Sequence, residues 1–412
     1  MDILFIIAII LLPFDNLFFA PSSGWATVTP IILFLYLFFN LKYLSKIVKK
    51  YRNIIMFLIM IFVVSLIAFI IHGINFGAFI DTVITLILGV SVLFSFEIYF
   101  VQRKNSLNKV CKYLIYSYSI SLLIGLLQFI AIKLNIGFLQ GLFDLISKRN
   151  YLQYSRVQFS FTEPSFIGMH LFGVLLPLYY CTKNKKILKL LIAFIISSVI
   201  FNSSVRFILD TVVVLSIVFG LYLIKHKKIA FLATGIIVAA ISFIFLYNYN
   251  PRIQNIVSKG IYADSSLSSR YFRIEASVYG YTMKPMNLIT GYGMGNAIVP
   301  LRVGYSKALA NYKNSYYGEL NLLKQENYHD PSATFCLYTR LISEYGIILF
   351  VMFCCYIKQL YKYSKFKYKL ELLLILAYLY LQFDSYAFYT LWLFIFILKN
   401  SKKGSVFYEK QS

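Results

Sequence analysis

The chain has 412 residues and a formal net charge of +24 at pH 7, yet only 14% of its residues are charged and 59% are hydrophobic. A soluble domain carries about 25% charged residues, so this composition excludes an ordinary soluble protein and defines an integral membrane protein. The basic residues fall in short clusters between apolar runs rather than on one stripe, which argues against nucleic acid as a partner, and no pair of the five cysteines has zinc-ligand spacing or suggests a disulfide scaffold.

Crossing a bilayer as a helix takes about 20 apolar residues at about 1.5 Å rise each. Twelve runs approach that length: 3–20, 27–41, 54–72, 79–101, 113–132, 165–181, 187–203, 206–224, 229–247, 336–357, 370–383 and 385–398. The last two are short and meet at Phe383-Asp384-Ser385. The first has neither a basic leader nor a small-residue cleavage site, so it reads as a retained helix rather than a signal peptide. The expected fold is an all-α polytopic membrane protein, one membrane domain over 1–412.

Orientation follows from the cations. Lys42, Lys46, Lys49, Lys50 and Arg52 fill the connection 42–52, and Arg103, Lys104, Lys109 and Lys112 fill 102–112. Further lysine clusters occupy 182–189, 225–228 and 358–369. These are alternate connections, so the positive-inside rule puts all of them, and both termini, in the cytoplasm. On the opposite face two connections are long, 133–164 and 248–335. Loops beyond about 15 residues are usually functional or disordered. The larger one holds aromatics, apolar stretches and Gly291, Gly293 and Gly295, which predicts short helices lying over the membrane surface rather than a separate soluble domain.

This topology separates the two cations. Lysine dominates the cytoplasmic clusters, whereas every arginine except Arg52 and Arg103 falls in or beside an external loop. A lysine is a sufficient point charge for topology; arginine adds a planar five-donor fork that matches phosphate oxygens. External arginines therefore point to a lipid-linked phosphate or diphosphate. Arg206 with Asp210 and Arg340 with Glu344 also have the i,i+4 spacing of a plain helical ion pair. Arg149, Arg252 and Arg302 read as contacts to lipid headgroups. Arg156, Arg270 and Arg273, with no obvious local partner except Glu275, are the better candidates for the site.

The segment 155–165 enters the sixth run as Phe161-Thr162-Glu163-Pro164-Ser165, with Arg156 seven residues before Glu163. Pro164 suits a first helical turn, and Glu163 before it suits the positive end of the helix dipole. His170 reads as a packed core residue. The large loop contains Arg270-Tyr271-Phe272-Arg273, then Gly291-Tyr292-Gly293-Met294-Gly295, and ends with His329-Asp330-Pro331-Ser332. The glycine run follows no strand and does not match a dinucleotide fingerprint. His329 can take a proton from a sugar hydroxyl near neutral pH, with Asp330 or a carbonyl to orient it; a helix-capping surface histidine is the plain alternative. The chain has no Asp-x-Asp, the usual metal site of nucleotide-sugar transferases.

Taken in order, these features resemble the Wzy O-antigen polymerases. They are twelve runs, two long external loops, an Arg156 to Glu163-Pro164-Ser165 entry, an arginine before a Gly-x-Gly element and a histidine before the tenth run. The Wzy-C O-antigen ligases belong to the same superfamily; they commonly carry Asn after the histidine, where this chain has Asp330. The resemblance implies a GT-C-like glycosyltransferase that uses no cofactor or metal and acts at the periplasmic face of the bacterial inner membrane. Its donor and acceptor would both be undecaprenyl-diphosphate-linked oligosaccharides. It also implies a Wzz-type chain-length regulator and a Wzx-type flippase as partners, besides membrane lipids. On this expectation Arg270, Arg273 and Arg206 hold diphosphate, Arg156 and Glu163 hold glycan, and His329 is the base, with Glu163 the second catalytic candidate.

Two other functions fit less well. A ligase would join finished glycan to lipid A–core; the 133–164 loop and the Glu163-Pro164-Ser165 segment favour polymerisation instead. A transporter would place substrate groups near the midplane on broken helices, whereas here the polar residues concentrate in one external loop and no internal repeat is visible.

Overall fold

The computed structural model describes residues 2–18, 27–201, 204–226, 247–248, 251–313, 317–325 and 334–401. They are helical throughout, apart from turns and one isolated bridge between Leu17 and Ser147. The membrane-bundle helices are α1 (Asp2–Leu11), α2 (Thr29–Phe38), α3 (Arg52–His72), α4 (Phe76–Gln102), α5 (Leu107–Lys133), α6 (Pro164–Thr182), α7 (Lys185–Ile200) and α8 (Val205–Lys225). After the large loop, whose two main helices are α9 (Ser265–Met283) and α10 (Ile298–Asn311), come α11 (Leu337–Tyr363), α12 (Lys369–Leu379) and α13 (Tyr389–Asn400). Six of these, α3 to α6, α8 and α11, are long and apolar enough to cross a membrane. Their outward faces carry bare Ile, Leu, Val and Phe, such as Ile70, Leu123, Leu215 and Ile348, as lipid contact requires. The chain is a polytopic, all-helical membrane protein.

Eleven of the twelve expected runs coincide with helices; the ninth, 229–247, lies outside the described residues apart from its last. Several are shorter than expected. The first ends at Leu11 instead of running to residue 20, because Pro13 disfavours helix at the preceding residue and Asp15 and Asn16 turn the chain back. The second bends by 74° into Leu41–Lys50, so part of the first lysine cluster is itself helical. The last two are separated at 380–388, and α12 and α13 have 11 and 12 residues, about 17 Å each at helical rise.

Side-chain caps start the helices where the sequence supplies them: Asn75 for α4, Ser106 for α5, Asn184 for α7, Ser204 for α8 and Asp264 for α9 each accept a backbone N–H. In α6 the ladder widens to a π-turn over Leu171–Leu175, next to Pro177, whose missing N–H cannot serve the carbonyl of Gly173.

The described part of the large loop folds into five α-helices and one 3-10 turn, Ile261–Ala263. Its two main ones pack backbone to backbone: a Cβ on Gly280 would lie 2.0 Å from the Pro300 carbonyl oxygen, and one on Gly304 would lie 2.0 Å from that of Ala276. Phe272, Ile298, Leu301, Tyr305 and Leu323 give this hairpin a small hydrophobic core of its own. The glycine segment then enters the bundle. Helix α11 is broken at Gly346, whose φ of 77° and ψ of 173° are open only to glycine. The carbonyls of Ser343 and Glu344, freed by that break, accept the N–H groups of Tyr292 and Gly293 at 2.8 and 2.9 Å. A broken membrane helix must satisfy its backbone in this way.

Candidate functional site

The end of the bundle opposite the lysine clusters is built by three segments. Helix α8 shows the polarity, with Arg206 in its first turn and Lys225 in its last. The entry segment is fixed by the turn after α1. Ser160 donates to the carbonyl of Pro13 at 2.6 Å, and Asp15 accepts the N–H of Thr162 at 2.7 Å. Gln128 spans Phe159 and Gln158 with three hydrogen bonds. Glu163 stands, as expected, at the N-cap of the turn Pro164–Phe166, but its carboxylate accepts no capping N–H. It pairs instead with Arg149 at 2.7 Å and accepts the Ser165 hydroxyl at 2.9 Å.

Arg149, read from sequence as a headgroup contact, thus bonds Glu163 directly, and Arg156 lies within electrostatic reach of the same carboxylate. Arg156 lies nearby, its guanidinium 5.6 Å from the Tyr151 ring centroid. Burial and the neighbouring Arg252 pull its pKa down, while Tyr151, Glu163 and Asp264 act the other way. A guanidinium remains a cation under such shifts. Arg252, also read from sequence as a headgroup contact, has a partner within the protein. It forms a two-pronged pair with Asp264, using Nη2 to Oδ1 at 2.7 Å and Nε to Oδ2. Burial raises the Asp264 pKa, but Arg252 and the N–H of Leu267 outweigh it and hold the carboxyl below its ordinary value. Arg302 likewise donates to the carbonyls of Leu323 and Gln325 within the loop.

From Asp264 the helix α9 leads to the two central arginines. Arg270 and Arg273, one turn apart, lie 5.3 and 4.5 Å from the centroid of the Phe335 ring. Phe335 itself has a φ of 50°, an unfavourable left-handed conformation for a bulky residue. Arg273 is 1% exposed and Arg270 half-buried. The positive charge of Arg270 reaches Asp210 on α8. Asp210 is 3.9 Å from Arg206 and accepts the Tyr378 hydroxyl at 2.7 Å, while Arg206 donates to the carbonyl of Gln382 at 3.0 Å. Arg206 is thus both the helical ion pair and a neighbour of the loop arginines. Among the described residues, Arg149, Arg156 and Arg252 with Glu163 and Asp264 form one electropositive group and Arg206, Arg270 and Arg273 with Asp210 another, and α9 runs from the first, at Asp264, to the second, at Arg270.

Arg340 belongs elsewhere. Its Nε donates to Glu344 at 3.0 Å, Nη1 to the Asp384 carbonyl at 3.1 Å and Nη2 to Thr82 at 3.1 Å, all buried. Tyr386 stacks on the guanidinium at 4.3 Å and donates to Glu344 at 3.0 Å. That is an internal brace. Glu275, the one local acid noted for Arg270 and Arg273, accepts the Asn311 amide at 2.8 Å. His170 is fully buried, as the core reading expected, within hydrogen-bond distance of Tyr118, Tyr389 and Asp15.

His329 lies outside the described residues, with Asp330, Pro331 and Ser332. No group of three or more His, Cys, Asp or Glu could hold a metal among the described residues. Sequence reasoning missed Phe335, Asp264 and the roles of Arg149 and Arg252; the Asp before a Ser-Ser helix start was a readable cap signal, the others depend on distant contacts. No family model, curated protein or solved structure matches this chain.

Proposed function

We propose that this protein polymerises lipid-linked oligosaccharide repeat units, transferring a growing glycan from undecaprenyl diphosphate onto the sugar of a newly delivered unit. The observation that supports it is the gathering of Arg156, Arg206, Arg270 and Arg273, from two loops and a helix start, at the arginine end of a membrane bundle. In this reading the acceptor hydroxyl attacks the anomeric carbon, the C–O bond to diphosphate breaks, and the hydroxyl proton passes to His329. Guanidiniums facing the leaving diphosphate stabilise its developing charge, and each has five donors, enough to keep a protein partner while receiving phosphate oxygens. Arg156, with the Arg149–Glu163 pair beside it, lies where a second glycan would be held. We take the fold to be GT-C-like with twelve spans, the shorter helices lying in the bundle with the six long ones, both termini cytoplasmic and the arginine end periplasmic.

The test is the population of lipid-linked oligosaccharides in membranes, read by mass spectrometry. The active protein should yield lipid diphosphate bearing integral multiples of the unit, and His329→Ala should leave single units. Multiples persisting in His329→Ala would remove it as the base and pass that role to Glu163; multiples persisting without the protein would end the proposal.

A further inference from the structure

At the opposite, lysine-rich end, a cavity of about 610 Å³ opens between α3, α11 and α13. Lys50, Asn53, Gln359, Lys399 and Asn400 bring polar groups to its wall. The chemistry of Lys50 is set from behind. Its ammonium donates to Glu97 at 2.6 Å and to the Asn400 amide oxygen at 2.6 Å. Glu97 is fully buried and also accepts from Tyr51 at 3.0 Å and from Asn400 at 3.2 Å. An ammonium has three donors, so this arrangement holds Lys50 rigidly and leaves one N–H for the cavity, where the side chain is 29% exposed. With Lys399 on the same wall, Lys50, Glu97 and Lys399 together carry a single net positive charge.

The cavity does not end in polar residues. Tyr356, Leu360, Tyr363 and Leu398 add an apolar wall to it. A cationic chamber with an apolar wall matches a molecule with an anionic head and a hydrocarbon tail. Basic pockets between membrane helices on the cytoplasmic side are suited to anionic lipid headgroups. We propose that this is a binding site for one anionic phospholipid of the leaflet at the lysine-rich end. Its phosphate rests on Lys50 and Lys399, Asn53 and Gln359 face its headgroup, and the start of its acyl chains lies against Leu360, Tyr363 and Leu398. Glu97, Tyr51 and Asn400 are positioning residues: they hold the Lys50 ammonium at the wall. The inference is independent of the proposed transfer reaction, which concerns the other end of the bundle.

The experiment uses the full chain in neutral detergent, with native mass spectrometry and thermal unfolding after adding phosphatidylglycerol, phosphatidylcholine or inorganic phosphate. Phosphatidylglycerol should stay bound at a one-to-one ratio and raise the unfolding midpoint, and the other two should not. Lys399→Gln should weaken phosphatidylglycerol about tenfold, the loss of one charge-assisted contact to phosphate. The charge-balanced pair Lys50→Gln with Glu97→Gln should do the same, and Lys186→Gln, exposed in the first turn of α7, should have no effect. Equal binding of phosphatidylcholine, an effect reproduced by inorganic phosphate alone, or unchanged binding in Lys399→Gln would each overturn the proposal. Lys399→Gln leaves Lys50 and Glu97 themselves in place, so its result is read even if the double variant fails to fold.

Discussion

Replacing Arg340 by Met separates a bracing arginine from the arginines assigned to substrate. The side chain is 3% exposed, and its guanidinium serves Glu344, Thr82 and the Asp384 carbonyl while lying on Tyr386. Methionine fills a similar volume but takes away these hydrogen bonds. Glu344, fully buried, would keep the Tyr386 hydroxyl 3.0 Å away and lose its cation. Removing one partner of a buried pair costs about 3–5 kcal/mol, because the remaining charge is uncompensated. That is a large part of the roughly 5–15 kcal/mol by which folded proteins are stable. Changing Glu344 to Gln in the same chain removes the orphan charge and keeps an acceptor for Tyr386. The remaining deficit should then be about 1–2 kcal/mol, the scale of ordinary lost hydrogen bonds. Thermal unfolding in detergent should therefore rank the wild type first, Arg340→Met with Glu344→Gln second and Arg340→Met alone last. A single variant within about 0.5 kcal/mol of wild type, the range of a neutral surface change, would refute the brace. So would a double variant no better than the single.

The arginines proposed to hold diphosphate should behave in the opposite way. Arg270→Lys keeps the charge but not the fork, so lipid-linked multiples should fall about tenfold or more with unfolding unchanged; Arg302→Lys, which needs only to reach carbonyls, should keep full activity. Equal activity of the two variants would show that a point charge suffices at Arg270. Asp264 provides a pH test: its folded pKa is depressed, so its stabilisation is present above the ordinary Asp value of about 3.9 and is lost as pH falls through the lower folded value. Amide exchange in α9 should thus stay slow from pH 7 to about 5, after correction for the intrinsic rate, and loosen only below about 4. Loosening already between pH 7 and 5 would contradict the Arg252 pairing. For orientation, a single cysteine at Asn311 should react with an impermeant thiol reagent once the outer membrane is permeabilised, and one at Asn184 should not; the reverse pattern would invert the bundle.

Apolar periodicity made most helices legible, because lipid-facing and buried positions both demand hydrophobic residues over whole runs. It overstated their length where one residue decides the ending, as Pro13 does for α1. The pairs Arg206–Asp210 and Arg340–Glu344 were readable because they sit one turn apart on a helix. Arg149 and Glu163 were not, although only 14 residues separate them. Their meeting depends on the turn that Asn16, Gln128 and Gln158 hold from elsewhere in the chain. The same holds for Phe335 under Arg270 and Arg273, and for the glycine segment, whose docking partner at Gly346 lies about fifty residues on. Local composition gave the cation types and their segregation; tertiary contact decided which cations share a patch.

The central claim is that the arginine end extends a glycan on a lipid diphosphate, and the glycan ladder of a deletion strain tests it most directly. A polymerase needs a second lipid-linked unit as acceptor, whereas a ligase needs lipid A–core. Without this protein, a separate ligase should still attach what is made, so the strain should show core capped by one repeat unit and no longer bands. Arg156→Ala or Glu163→Ala, restored to that strain, should give the same single step. Bare core with long glycan accumulating on undecaprenyl diphosphate would contradict polymerisation and assign ligation instead, and an unchanged ladder would contradict both.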